Sequence, residues 1–388
     1  MDYDVAVVGG GMVGAATALG LAQKGFNVAL VEHEVADAFD AGQPPDLRIS
    51  ALGYASVELL KRLGVWPRVE HMRSAPYRRL ETWEWETARV SFSAAELGLP
   101  ELGHMVENRI LQLALWQSLS EAPTARCFCP ARLAAMRPTR QGWMLTLDSQ
   151  QTLRARLLVG ADGAHSQVRQ MAGIGVNGWQ YRQSCMLISI DTGGAQQDVT
   201  WQRFTPEGPR AFLPLFDSWA SLVWYDSPAR IRQLQALPMA QLGPEISRAF
   251  PERLGAVTPV AAGSFPLVRR HAQSYARPGL VLLGDAAHTI NPLAGQGVNL
   301  GYRDVDALLG VVIRAREAGE DWSCAAVLSR YQQRRKADNL LMQSGMDLFY
   351  AAFSNRLPPL SLARNLALMA AQRAGKIKRQ ALKYALGL

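Results

Sequence analysis

Tyr3-Asp4-Val5-Ala6-Val7-Val8-Gly9-Gly10-Gly11-Met12-Val13-Gly14 is an apolar run that breaks into glycines and reopens as a helix. From Met12 to Lys24 the residues Ala15, Ala16, Ala18, Leu19 and Ala22 recur at helical spacing, and Gly25 stops them. Asn27 to Glu32 reads as a second strand. The unit is a β-α-β fold of about 30 residues. Gly9 permits the tight turn, Gly11 lets a pyrophosphate approach the backbone, and Gly14 lets helix and strand pack closely. With Met12 and Val13 they open a helix whose free N–H groups and partial positive charge suit phosphates. Glu32 stands 18 residues past Gly14, where a carboxylate accepts from ribose hydroxyls and disfavours a 2′-phosphate. On these residues alone FAD and NAD fit equally well.

Two later segments repeat the strand-into-turn pattern. Val159-Gly160-Ala161-Asp162-Gly163 is followed by Ser166 and Arg169, and by itself it reads equally as a structural turn. Gly284-Asp285-Ala286-Ala287-His288 continues through Pro292, Gly295, Gly297, Val298 and Asn299. Its glycines allow close backbone approach, and the stretch Gly295–Asn299 can present successive N–H groups to a polar ring edge. Asp285 is placed to accept from sugar-type hydroxyls. His288 has general-base chemistry, but a satisfied structural histidine is the better reading.

Working outward, 37–45 reads as loop, 56–63 and 111–119 as short helices, and 80–92 and 143–159 as strands. From Met186 to Tyr225 the aromatic, β-branched pattern is again strand-like. Residues 228–250 are mostly helical, 280–283 form a short buried strand, and helices fill most of 298 to the end, broken at Pro358-Pro359. The class is α/β, with nucleotide-type segments at the start, the middle and near residue 285, and aromatic β segments inserted between them.

Composition excludes several classes. The cysteines Cys127, Cys129, Cys185 and Cys324 are too few and scattered for a disulfide scaffold or a metal site, and they suit a reducing cytoplasm. No stretch reads as a leader or as about 20 uninterrupted apolar residues, so a soluble or peripheral protein is expected. The net charge of +8 is uneven: after Asp347 no acid occurs, while Arg356, Arg364, Arg373, Lys376, Lys378, Arg379 and Lys383 follow. Such a segment suits anionic lipid or an acidic partner, or is simply a solvated helix face. Aromatics are not interleaved with these cations as in a nucleic-acid module, so nucleic acid is not expected as a partner.

The three glycine-bearing motifs, in this order, resemble the flavin-dependent aromatic hydroxylases of the p-hydroxybenzoate hydroxylase type, over essentially the whole chain. The resemblance implies a Rossmann-like FAD-binding domain, an interleaved mixed β-sheet substrate domain and a helical C-terminus. It places the FAD-binding domain at 1–75, 105–180 and 273–345, the substrate domain at 76–104 and 181–272, and a basic helical tail at 346–388. It assigns Gly9, Gly11, Gly14 and Glu32 to the ADP half of FAD, and Asp162-Gly163 to the pyrophosphate and the nicotinamide donor. Gly284-Asp285 goes to the ribityl chain, and Pro292 to Asn299 lies along the isoalloxazine ring. Arg48, in Arg-Ile-Ser-Ala-Leu, and Arg109, in Glu-Asn-Arg-Ile-Leu, look like further FAD contacts.

Within that family Tyr77–Glu86, Val168–Ile174 and Gln343–Asp347 are similar to the ubiquinone-biosynthesis hydroxylases. The implied cycle uses NADH or NADPH as donor and O₂ as co-substrate, and passes one oxygen through a flavin C4a-hydroperoxide to a polyprenylated benzoquinol. The implied partners are that quinol, a peripheral contact at the inner face of the cytoplasmic membrane, or other proteins of the pathway. The site must exclude water, and Phe212, Pro214 and Trp224 are candidates for its lining, with ordinary sheet core as the alternative. No acid–base residue stands out, so the active-site loop is sought at Pro292, Gly297 and Val298. Sister hydroxylases of other ring positions, a FAD-bound reductase and a scaffold protein are the rival readings. A flavin halogenase fails, because Trp83-Glu84-Trp85-Glu86 continues into Thr87-Ala88 rather than Ile-Pro.

Overall fold

Strand β1 (Tyr3–Val8) runs into helix α1 (Met12–Ala22) and returns as β2 (Val28–Val31), as the glycine spacing predicts. The computed structural model describes residues 1–291, 297–355 and 357–388. Next come β3 (Ile49–Gly53), α2 (Tyr54–Arg62), α3 (Trp66–Met72), β4 (Ala75–Tyr77), β5 (Arg79–Trp83), β6 (Val90–Ser93), β7 (Gly103–Glu107) and α4 (Asn108–Ser120). The middle of the chain contains β8 (Ala125–Phe128), β9 (Leu133–Thr139), β10 (Gly142–Leu147), β11 (Thr152–Gly160) and α5 (Gln167–Met171). The long strand β12 (Val176–Asp191) leads to β13 (Val199–Arg203), β14 (Arg210–Pro214), β15 (Trp219–Asp226), α6 (Pro228–Gln235), α7 (Met239–Ala249) and β16 (Thr258–Ala272). The chain finishes with β17 (Ala276–Arg277), β18 (Leu280–Leu282), β19 (His288–Thr289), α8 (Gly297–Glu317), α9 (Ala325–Phe353), α10 (Pro358–Arg373) and α11 (Lys376–Leu386).

Three sheets result. The first has the order β17-β18-β11-β1-β2-β8, with β10 and β9 branching from β11. Its strands β18, β11, β1, β2 and β8 are mutually parallel, so their carboxyl ends share one edge. Helix α1 is buried on nearly all sides, which its alanines and glycines allow: a methyl on Gly20 would sit 2.5 Å from Leu309 of α8. The second sheet, β19-β16-β12-β15-β14-β13-β5-β6, draws strands from both sides of the central nucleotide segment. Helices α6 and α7 cover one of its faces. A small sheet, β3-β7-β4, joins the two. The interleaved α/β layout is therefore realised.

Two details differ from the sequence reading. Helix α9 runs unbroken through residue 346, where the tail was set apart, and ends at Phe353 rather than at the prolines. Pro358 instead starts α10, at a position where its missing N–H costs nothing. The strands of the small sheet fall in segments to which the sequence assigned no element, because they lack a full period of alternation.

Candidate functional site

The first glycine loop is held by contacts that exclude side chains. Gly9 has φ +100°, and a methyl there would sit 2.6 Å from the Ala161 carbonyl carbon. A methyl on Gly14 would collide with the Gly9 carbonyl oxygen. One on Gly10 would lie 2.6 Å from the Trp116 ring and 2.8 Å from the Glu32 Cβ. Gly11 is different: no heavy atom lies within 4 Å of where its methyl would be. It is the N-cap of α1, and no side chain caps the first amides of that helix among the described residues.

Glu32, at the end of β2, is buried, and its Oε2 accepts from Gly10 N–H at 2.5 Å. Its Oε1 accepts from His33 N–H at 2.7 Å and Glu34 N–H at 3.0 Å. The carboxylate therefore fixes the loop to the strand end. Helix α4 holds the other side, with Gln112 Nε2 (3.1 Å) and Trp116 Nε1 (2.7 Å) both donating to the Gly10 carbonyl.

The parallel strands bring the other motifs alongside. Val8 registers with Gly160 and Gly160 with Leu282, so β1, β11 and β18 end side by side. Asp162 accepts from Ser166 Oγ (2.5 Å), Gln167 N–H (2.7 Å) and Val168 N–H (3.1 Å), which caps α5. Burial raises its pKa, and these hydrogen bonds oppose the rise. Gly163 takes φ +78°, as a turn glycine does. On the other flank Val13 packs against Gly284 and Gly301, where added methyls would stand 3.3 and 2.5 Å from it. Sites of this kind lie beyond the carboxyl ends of parallel strands.

Asp285 stands on the wall of this cleft. Its side chain is exposed to solvent although protein closely surrounds it, and it accepts no hydrogen bond from the described residues. That surrounding protein raises its pKa, against the pull of His288, Arg270 and Arg48. Arg48 is exposed on the same side. Arg109 lies nearby but is committed: it binds Asp46 through Nε (2.9 Å) and a second nitrogen (3.0 Å), and donates to the Ala38 carbonyl at 2.6 Å. Asn299 is also committed, accepting from Gly53 N–H (2.9 Å) and Ser56 Oγ (2.7 Å) and donating to the Ala51 carbonyl (2.8 Å). It staples α8 to β3 and α2. Gly297 and Val298 begin α8, half-buried, while Pro292 and Gly295 lie outside the described residues.

Beneath the cleft sits a charged cluster that the motifs do not announce. Asp304 is fully buried and accepts from Gly284 N–H (3.0 Å), His288 Nε2 (2.5 Å), Arg335 Nε (2.7 Å) and Asn339 Nδ2 (3.2 Å). Burial acts to raise its pKa, but His288 and Arg335 outweigh it and hold the carboxyl below the usual range. The ring of His288 is thereby spent on structure. Sequence reasoning missed Gln112 and Trp116, which stand on the helical face of Arg109 at i+3 and i+7.

The substrate-lining candidates Phe212, Pro214 and Trp224 pack as sheet core, the alternative given for them. Strand alternation sends Phe212 and Trp224 toward α6 and α7, where Phe212 stacks on Trp201 (5.4 Å) and Trp224 meets Phe250 edge-on (5.5 Å). Pro214 shares the parity of Phe212 and is buried. The opposite face of the sheet carries Tyr225, Val223 and Leu187, and Tyr225 Oη donates to Asn291 Oδ1 at 3.2 Å. Leu47 reaches the same face, since a methyl on Gly263 would lie 3.2 Å from it. This is the face turned toward the Gly284–Asn291 segment.

These features fit FAD. The uncapped helix start with open space at Gly11 suits a pyrophosphate, and the exposed, unpartnered Asp285 suits a hydroxylated chain. The comparisons agree. Residues 2–339 match the family described as FAD binding domain. The 3-demethoxyubiquinol 3-hydroxylase of Escherichia coli (strain K12) is 65% identical over 385 residues, covering 99% of this chain and 98% of that protein. Ubiquinone hydroxylase UbiL of Rhodospirillum rubrum is 37% identical, covering 99% of this chain and 89% of the relative. The crystal structure of p-nitrophenol 4-monooxygenase PnpA from Pseudomonas putida DLL-E4 has the same fold, with TM-score 0.82 at 18% identity over 99% of this chain and 98% of that one. The chain belongs to the FAD binding domain family of flavin-dependent monooxygenases, among its ubiquinone-biosynthesis hydroxylases.

Proposed function

We propose that the protein hydroxylates the ring of a polyprenylated benzoquinol in ubiquinone biosynthesis, at the step performed by 3-demethoxyubiquinol 3-hydroxylase. The observation that carries this reading is the 65% identity to that enzyme along 99% of the chain. The electron donor is NADH or NADPH, and O₂ supplies the oxygen atom.

Bound FAD supplies the redox and oxygen chemistry, as cofactors do in such enzymes. The protein's own part is to bind, orient and exclude water. The N–H groups at Gly11 to Val13 would hold the pyrophosphate, Glu32 would sit at the ribose end, and Asp285 would accept from the ribityl hydroxyls. Arg48 adds positive charge on the same wall. The Tyr225–Val223–Leu187 face would shield the reacting ring from water, which oxygen transfer demands. A quinol is already activated by its own hydroxyls, so the residues need only hold it. Tyr225 stays protonated, since burial lifts its pKa well above the ordinary value, and it serves as a hydrogen-bonding wall rather than a base.

The test is quinone profiling of a strain lacking this chain, followed by assay of the purified protein under ¹⁸O₂. Accumulation of the demethoxy intermediate and one labelled oxygen in the product are expected. Accumulation of an earlier phenol would move the assignment to a sister hydroxylase. Turnover without label would point to a reductase, and no substrate-dependent oxygen uptake to a scaffold.

A further inference from the structure

Helix α10 is built inside out. A surface helix normally turns its apolar stripe inward and its charges to water. Here the buried positions are Arg364, Asn365 and a single leucine, Leu368, with Ser361 half-buried beside them and the exposed Gln372 also bonded to the body of the protein. Arg364 pairs with Glu84 through Nε (2.7 Å) and a second, shorter contact, and also donates to Asn355 Oδ1 at 3.0 Å. Asn365 accepts from Trp85 N–H at 3.1 Å, and Gln372 Oε1 accepts from Ser91 N–H at 2.9 Å. The outward positions are Leu360, Leu362, Leu366 and Met369, which are 49%, 50%, 55% and 36% exposed.

The orientation is locked. Rolling the helix to bury its leucines would strand Arg364 and leave the half-buried Glu84 without its partner. The exposed apolar surface continues beyond α10. Leu357 precedes it, Ile377 of α11 is 75% exposed, and Leu348 and Phe349 of α9 are 71% and 47% exposed. So many exposed large apolar residues on one helix and its neighbours mark an interaction site.

The cations name the occupant. Lys378 is turned inward to Glu96 at 3.1 Å, but Arg373, Lys376, Arg379 and Lys383 are exposed and make no ion pair among the described residues. No acid follows Asp347. A second copy of the chain would set these charges against their own kind. An anionic bilayer would neutralise them while taking up the leucines. Helix α10 has 16 residues, about 24 Å, and among the described residues no helix is long and apolar enough to cross a membrane.

We infer that α10, flanked by the start of α11, lies flat in the headgroup region of an anionic lipid bilayer, with its leucines in the acyl boundary and its cations on the phosphates. The inference rests on this surface alone and stands or falls apart from the hydroxylation proposed above.

The test is flotation of the full FAD-loaded chain with vesicles of phosphatidylglycerol and phosphatidylcholine in equal parts, and with phosphatidylcholine alone. Binding to the anionic vesicles is expected. The triple variant Leu360→Ser, Leu362→Ser, Leu366→Ser should lose on the order of a hundredfold in partitioning. Replacing Arg373, Lys376 and Arg379 by Gln should cost about fivefold per charge, on the anionic vesicles only. Both variants should keep the parental melting temperature and the parental turnover of a water-soluble, short-tailed quinol. Equal flotation of parent and leucine variant, or no flotation of the parent, would overturn the inference. So would a lipid-free dimer that the leucine variant converts to monomer, since the occupant would then be a second copy.

Discussion

Gly11 and Gly14 belong to one motif but answer to different demands. Gly14 has no room for a methyl, because the Gly9 carbonyl fills the space. Gly14→Ala should therefore lower the melting temperature of the apo-protein itself. Gly11 has open space around it, so Gly11→Ala should fold as well as the parent yet bind FAD roughly tenfold or more weakly, about 1.4 kcal/mol. Thermal unfolding of apo-protein and flavin titration separate the two; equal loss of apo stability in both would contradict the assignment. Glu32→Gln removes the charge from a hydrogen bond to Gly10 N–H, and about 1.5–3 kcal/mol of loop anchoring should go with it, read as weaker flavin retention on gel filtration. The glycines were legible in the sequence because their constraints act within a few residues. Trp116 was not legible as their partner, since nothing local marks a ring that donates to a carbonyl 106 residues away.

Among elements, α8 matters most to the site, because its Asp304 ties the Gly284 turn to His288 and to Arg335 of α9. Asp304→Asn leaves the buried Arg335 guanidinium with Asp338 as its remaining counter-charge, and urea unfolding should show a loss of about 3 kcal/mol. A second prediction concerns His271 of β16. Burial, the first cause, lowers its pKa from 6.5 to about 4, while the bond of its Nδ1 to Gln343 Oε1 resists. The unfolded chain therefore takes up a proton between pH 6.5 and 4 that the folded chain does not. Stability attributable to this ring is intact above pH 6.5 and is lost as pH falls toward 4. In His271→Leu the fall of melting temperature over that window should be shallower. Element types were legible where periodicity was long, as in β1-α1-β2. Which face of β14 and β15 meets the cleft was not. Alternation separates Phe212 and Trp224 from Val223 and Tyr225, but only the covering helices α6 and α7 decide which set is core.

At the scale of the whole molecule, the flavin should act as part of the structure. A ligand that binds only the folded state at a hundred times its Kd stabilises by about 2.7 kcal/mol. Melting temperature should thus rise with added FAD in the parent, and much less in Gly11→Ala at the same concentration. The interleaving of the domains was legible because nucleotide-type motifs recur on both sides of aromatic strands. The charge excess after Asp347 was also legible. That Arg364 and Lys378 face inward, to Glu84 and Glu96, was not, because a cation's partner some 280 residues away leaves no mark on its neighbours.

The strand order β18-β11-β1-β2 has a further consequence, for the chain as it is made. β1 leaves the ribosome first, but its neighbour β11 begins at Thr152 and the next strand, β18, at Leu280. At about 5–20 residues per second, β1 waits on the order of ten seconds for the first and up to about a minute for the second. During that time one edge of β1-β2, apolar from Val5 to Val8, is an open template for strand pairing. Nascent protein is thus exposed to aggregation for most of its synthesis, and the FAD cradle cannot close until roughly three quarters of the chain has emerged. The cofactor that stabilises the finished enzyme arrives too late to protect the segment that binds it first.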